Sequence, residues 1–70
     1  MKFYFTFGFG QVHENGFYVI FADNHEKARD EMVEKFGLKW AFQYTEKEWF
    51  NSEGISQEEE FNLQEIKLKL

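Results

Sequence analysis

Phenylalanine occupies every second position at Phe3, Phe5, Phe7 and Phe9, inside the opening run from Lys2 to Gly10. Successive side chains of a β-strand point to opposite faces, so this spacing sets four benzyl groups on one side of one strand. The chain has 70 residues, enough for one domain over residues 1–70. A domain of this size buries only about 60 % of the surface its unfolded form exposes. The phenylalanine row therefore commits much of the available interior to one sheet face. With no cysteine, no disulfide framework or thiolate metal site can supply stability. Aromatic bulk takes that place: 10 Phe, 3 Tyr and 2 Trp make up 21 % of the residues, and each buried ring removes roughly 150–250 Å² from water. Dimerisation is the other route to stability at this size, so a homodimer stays open.

The hydrophobic pattern predicts a first strand from Lys2 to about Val12 and a second from Gly16 to Ala22. Asn15-Gly16 between them is a strong short-range hairpin signal, since a type I′ turn needs positive φ at both central residues. That turn would place Glu14 opposite Phe17, Val12 opposite Val19, Gly10 opposite Phe21 and Phe9 opposite Ala22. Gly8 and Gly10 could mark a bulge, which would change the face of what lies beyond. A helix follows, capped by Asp23 in a capping box with Glu26 or by Asn24. Ala28, Met32 and Phe36 form its apolar stripe with Val33 alongside, Glu31 and Lys35 have the favourable i, i+4 order, and Gly37 is placed to stop it. Leu38, Trp40, Phe42 and Tyr44 alternate as the core side of a third strand. Thr45-x-x-Glu48 and Ser56-x-x-Glu59 could each open one helical turn, pinned to the body by Trp49, Phe50 and Phe61. Ile66, Leu68 and Leu70 alternate with Lys67 and Lys69 as a short final strand whose lysines discourage edge-to-edge aggregation. The expected fold is α+β: an antiparallel sheet of about four strands, in chain order β-β-α-β-irregular-β, with one helix packed across one face.

The net charge is −5 and unevenly spread. Residues 1–44 carry six acids against five bases, whereas residues 45–70 carry seven against three. A basic stripe, which nucleic-acid binding ordinarily needs, is missing. Tyr4, Tyr18 and Trp40 could still stack bases on the sheet, which keeps a nucleic-acid or nucleotide binder as the alternative function. Other chemistry finds no constellation. Gly8-Phe9-Gly10 lacks the third glycine of a dinucleotide loop, where His13 stands, and the Gly-Lys-Ser/Thr of a Walker loop. His13-Glu14 begins a zinc-protease pattern whose second histidine would fall at Phe17, and His25 stands apart. Ser52 and Ser56 have no base beside them. Paired carboxylates are plentiful, but a domain this short rarely carves a substrate cleft. No enzyme, metal or cofactor is expected. No apolar run reaches the roughly 18–20 residues that cross a bilayer, and no signal-peptide cleavage pattern follows the N-terminus, so a soluble, unexported protein is expected.

The informative functional feature is the acidic segment 46–60, with Glu46, Glu48, Glu53, Glu58, Glu59 and Glu60 against Lys47 alone, and Trp49 and Phe50 among them. Acids around a protruding ring form a protein-binding surface, the ring anchoring and the charges steering. Alternatively, Trp49 and Phe50 tuck into the core and the acids solvate a loop.

At Phe5-Thr-Phe-Gly-Phe-Gly-Gln11, Ala28-Arg29 and Lys39-Trp-Ala-Phe-Gln-Tyr44 the chain resembles a group of small uncharacterised proteins encoded by phages and prophages of Gram-positive bacteria, over most of its length. The resemblance implies the cytoplasm of an infected or lysogenic bacterial host and carries over no functional residue. Together with the acidic segment, it leads to the expectation of a non-enzymatic module that binds a host or phage protein and inhibits it, for example a component of host defence.

Overall fold

The computed structural model describes residues 1–8, 10 and 13–67. Two strands, β1 (Lys2–Thr6) and β2 (Gly16–Phe21), form an antiparallel pair; helix α1 (His25–Phe36) follows, then β3 (Phe42–Thr45), two single-turn helices α2 (Glu46–Trp49) and α3 (Gln57–Glu60), and β4 (Gln64–Glu65). The sheet order is β3-β1-β2-β4. β3 lies antiparallel to β1, but β4 runs parallel to β2 through Gly16↔Gln64 and Phe17↔Glu65. The α+β class holds, while the sheet is mixed rather than purely antiparallel. The reason is connectivity: β4 returns after the whole acidic segment, long enough a crossover to bring it back in the direction of β2.

The phenylalanine row does what its spacing dictates, over a shorter strand. Phe3, Phe5 and Phe7 are buried in one cluster with Ile20, Ala28 and Met32, so α1 lies across that face. Phe9 and Val12 lie outside the described residues. The hairpin register differs from the tight-turn expectation: Phe17 faces Thr6 instead of Glu14, a shift of eight residues. An even shift preserves the faces. It also lets β2 pair with all of Lys2–Thr6, which the tight register would have left without a partner in β2. The turn itself sits one residue earlier than Asn15-Gly16. The Gly16 N–H donates to the His13 carbonyl (2.9 Å), which makes Glu14 and Asn15 the central residues. Asn15 has φ 66°, a conformation Asn tolerates better than most residues. Gly16 serves a different need: a Cβ there would stand 2.6 Å from Ile66 Cδ1 and 3.0 Å from the His13 carbonyl oxygen.

Helix α1 follows local rules closely. Asn24, not Asp23, is the N-cap, its side chain accepting from Lys27 N–H (2.9 Å), while Asp23 pairs with the Lys27 ammonium at 3.3 Å. Gly37 ends the helix at φ 65°, donating to the Val33 carbonyl (2.7 Å). Ala28 and Met32 are fully buried, and Phe36 packs edge-on against Phe7, Tyr18 and His13.

The third strand departs from its expected alternation. Leu38 is exposed, Trp40 packs edge-on against Phe5 on the α1 side (5.2 Å), and Phe42 and Tyr44 lie on the opposite face. Ala41 N–H donates to the Thr6 carbonyl (2.8 Å) while Phe42 is the register partner of Thr6. Two residues opposite one make a β-bulge, and a bulge inverts the parity of what precedes it. Trp40 is held on its side by an indole N–H bond to the Gly37 carbonyl (3.1 Å).

The second sheet face has its own core. Tyr4, Phe17 and Trp49 are buried together, with Val19, Tyr44 and Leu63 packed around them. The sheet is therefore covered on both faces, by α1 on one, as expected, and by the α2–α3 segment on the other. At the C-terminal end Ile66 packs on the α1-side cluster and β4 covers only Gln64–Glu65; Leu68 and Leu70 lie outside the described residues.

Candidate protein-interaction surface

The acidic segment begins with a complete capping box. The Thr45 hydroxyl accepts from Glu48 N–H (3.1 Å) and the Glu48 carboxylate accepts from Thr45 N–H (2.9 Å). The bond from the Thr45 backbone N–H, with the Thr45 hydroxyl adding to it, holds the Glu48 carboxyl below the ordinary carboxylate range, because it favours the ionised form. One helical turn later Trp49 points into the sheet, stacked on Tyr4 at 4.4 Å with a 4° interplanar angle and flanked by Phe17 and Tyr44. Trp49 is 1 % exposed. It is a core residue, and as an anchor for a partner it is unavailable.

Phe50 takes the opposite course and stays 43 % exposed. It bridges Ser56 across a loop closed by Asn51, whose side chain accepts from Glu53 N–H (2.8 Å) and Ile55 N–H (3.0 Å), while Asn51 N–H donates to the Ile55 carbonyl (2.9 Å). Ser56, buried, caps α3 by accepting from Glu59 N–H (3.3 Å), and Leu63 N–H returns to the Glu58 carbonyl (3.0 Å). Phe61, expected to pin this turn, is 60 % exposed; Leu63 packs inward in its place. The segment is thus tethered to the sheet by Trp49 at one end and Leu63 at the other, with its backbone ordered between them.

All six acids, Glu46, Glu48, Glu53, Glu58, Glu59 and Glu60, are exposed. The ion pairs among the described residues are Lys27–Asp23, Lys35–Glu31 and Lys67–Glu65, so none engages an acid of this segment. The Lys2 ammonium lies 5.0 Å from the Tyr4 ring centroid and titrates above the ordinary lysine range, chiefly through Tyr4, with Glu46 and Glu65 adding to the field. Phe50, Ile55 and Phe61 supply exposed apolar surface within the same stretch.

The residues considered for base stacking do not share a face. Tyr4 is buried under Trp49, whereas Tyr18 and Trp40 pack on the α1 side. His13 and His25 lie against phenylalanine rings, and no group of three or more His, Asp or Glu among the described residues could hold a metal ion. No helix among them is long and apolar enough to cross a membrane. The sequence reading missed a second polar feature, a cleft of about 570 Å³ where the 13–16 turn meets the chain at Phe61–Ile66. Its two walls lie far apart in sequence, so no local motif announces it. Comparison with protein-family models, with curated proteins and with solved structures returns no match.

Proposed function

We propose that this protein is a small protein-interaction module whose acidic segment 46–60 docks on a basic surface of a host or phage protein and inhibits it. The observation that carries this reading is the tethered loop: six exposed acids without an internal ion pair, held on an ordered backbone beside the exposed Phe50 ring. Ordering the loop in advance lowers the entropy lost on binding, and unpaired like charges steer an oppositely charged partner. Burial of Trp49 shifts the anchoring role to Phe50. Solvated acids alone need no fixed scaffold, whereas here Thr45, Asn51 and Ser56 all spend side-chain hydrogen bonds on the loop backbone. The test is capture from bacterial lysate followed by binding of the purified partner at 50 and 200 mM salt, about a twofold change in screening length. A variant carrying E53Q, E58Q, E59Q and E60Q is expected to lose most of the binding and most of its salt dependence. Equal binding by that variant would refute the assignment.

A further inference from the structure

Asn15-Gly16 is the one Asn-Gly pair in the chain, and the fold fixes each residue for its own reason. Asn15 stands at φ 66°, where Asn and Gly are tolerated best, and a Cβ on Gly16 would stand 2.6 Å from Ile66 Cδ1. The turn therefore keeps a dipeptide with a chemical weakness. The Gly16 nitrogen can attack the side-chain amide carbon of Asn15 in a five-membered ring closure, and an intramolecular attack of this kind has a high effective concentration. Gly16 puts no side chain in its way, whereas Asn24, Asn51 and Asn62 are followed by His25, Ser52 and Leu63. Asn15 is exposed, so water reaches it. What restrains the reaction is the peptide unit between the two residues. Its carbonyl accepts from Gln64 N–H (3.0 Å) and its N–H donates to the His13 carbonyl (2.9 Å). A peptide unit is planar, so bonds at both its ends stop the nitrogen from turning toward the side chain. Gly16 is itself buried, with Ile66 against it.

We infer that Asn15 is a modification site, opened by release of β4, at which the side-chain amide is converted to aspartate or isoaspartate. The Gly16 nitrogen gives up its proton and bonds to Asn15 Cγ; the Cγ–Nδ2 bond breaks, and ammonia leaves with a proton as a succinimide closes. Water then adds to one of the two ring carbonyls. Addition at Cγ breaks the new bond and gives aspartate. Addition at the former backbone carbonyl breaks the original peptide bond and gives isoaspartate. The balance is one water consumed and one ammonia released, with no oxidant or cofactor. In the isoaspartate form the main chain gains a carbon, and the carbonyl that held Gln64 becomes a free carboxylate. That carboxylate joins Glu14 and Glu65 around the cleft beside the turn, where like charges repel. The Gln64 bond is then lost from a pairing only two residues long. A transient opening of β4 is thereby made permanent.

The test incubates the intact chain at mildly alkaline pH, native and in urea, and maps its peptides by mass spectrometry with isoaspartate separated from aspartate. Conversion is expected at Asn15 well ahead of Asn24, Asn51 and Asn62, and at least tenfold faster in urea than in the native chain. Gln64→Pro removes the N–H that holds the Asn15 carbonyl and should raise the native rate at least threefold. Ile66→Ala, which keeps that N–H and uncovers Gly16, should act in the same direction with the folded spectrum retained. Asn15→Gln, whose longer side chain would need a six-membered ring, should not convert. In the purified isoaspartate form the Gln64 and Ile66 amides should exchange with solvent at least tenfold faster than in the parent. No conversion at Asn15 in urea overturns the site. Equal rates in the native chain and in urea overturn the gate, and unchanged exchange at Gln64 overturns the consequence for β4.

Discussion

Trp49 and Phe50 are adjacent in sequence and opposite in consequence. The Trp49 ring fills the space between Tyr4, Phe17 and Tyr44, so Trp49→Ala is expected to cost about 3–5 kcal/mol in urea unfolding, as large-to-small core substitutions do. Phe50→Ala should stay within about 0.5 kcal/mol of the parent, as for an ordinary surface substitution. It should nevertheless weaken partner binding measurably. Gly16 makes a sharper case, since the Cβ of a Gly16→Ala variant would collide with Ile66 Cδ1 and press on the His13 carbonyl. That variant is expected to lose about 1–3 kcal/mol, the range of overpacking, with part recovered when Ile66 is shortened to Val in the same chain. The same substitution at Gly10 meets open space, and its penalty comes from φ 82° alone.

Among the elements, the helices were legible and the strands only partly so. α1 is specified by neighbours within one turn: Asn24 bonds Lys27, Gly37 bonds Val33, and an i, i+4 stripe meets the sheet. The Thr45-x-x-Glu48 box was equally local and formed as written. Strand register is decided by the partner strand, which is why Phe17 chose Thr6 and why the bulge at Ala41 could not be read from Leu38-Lys-Trp40-Ala-Phe42. Deleting Ala41 would remove the extra residue and leave Trp40, now the direct neighbour of Phe42, on the Phe5 side. The Trp fluorescence maximum should then stay where it is, and a red shift on deletion would overturn the bulge assignment. The capping box carries a pH signature. The Glu48 carboxyl is depressed in the folded chain, so its contribution is complete above the unfolded carboxylate value of about 4.3 and disappears as pH falls through the lower folded value. Acid titration followed at the Thr45 amide should show the bond released in that window. Glu48→Gln should remove the step, whereas Thr45→Ala keeps the backbone donor and should cost about 1 kcal/mol, as an N-cap loss does.

For the whole molecule, both layers of cover were visible as residues but not as an arrangement. The acidic segment stood out by composition, yet whether Trp49 faced in or out depended on the one helical turn that α2 inserts after β3. The Glu14–Glu65 cleft was invisible for a stronger reason, since it exists only once β4 has come back beside β2. That late pairing is also the thinnest part of the sheet, two residues against the five of β1 and six of β2. Strand order and chain order run differently here: β1, made first, lies inside, with β2 and β3 on its flanks and a core on each face. Closing β1 on β2 leaves residues 7–15 as the loop, closing it on β3 leaves 7–41, and closing β2 on β4 leaves 22–63, each carrying a larger entropy than the one before. Hydrogen exchange should follow this hierarchy, with the Tyr4 and Phe5 amides surviving longest and the Gln64 amide lost soonest. The row of rings in β1 is therefore expected to be the last part of the sheet to open, with the segments outside it coming away first.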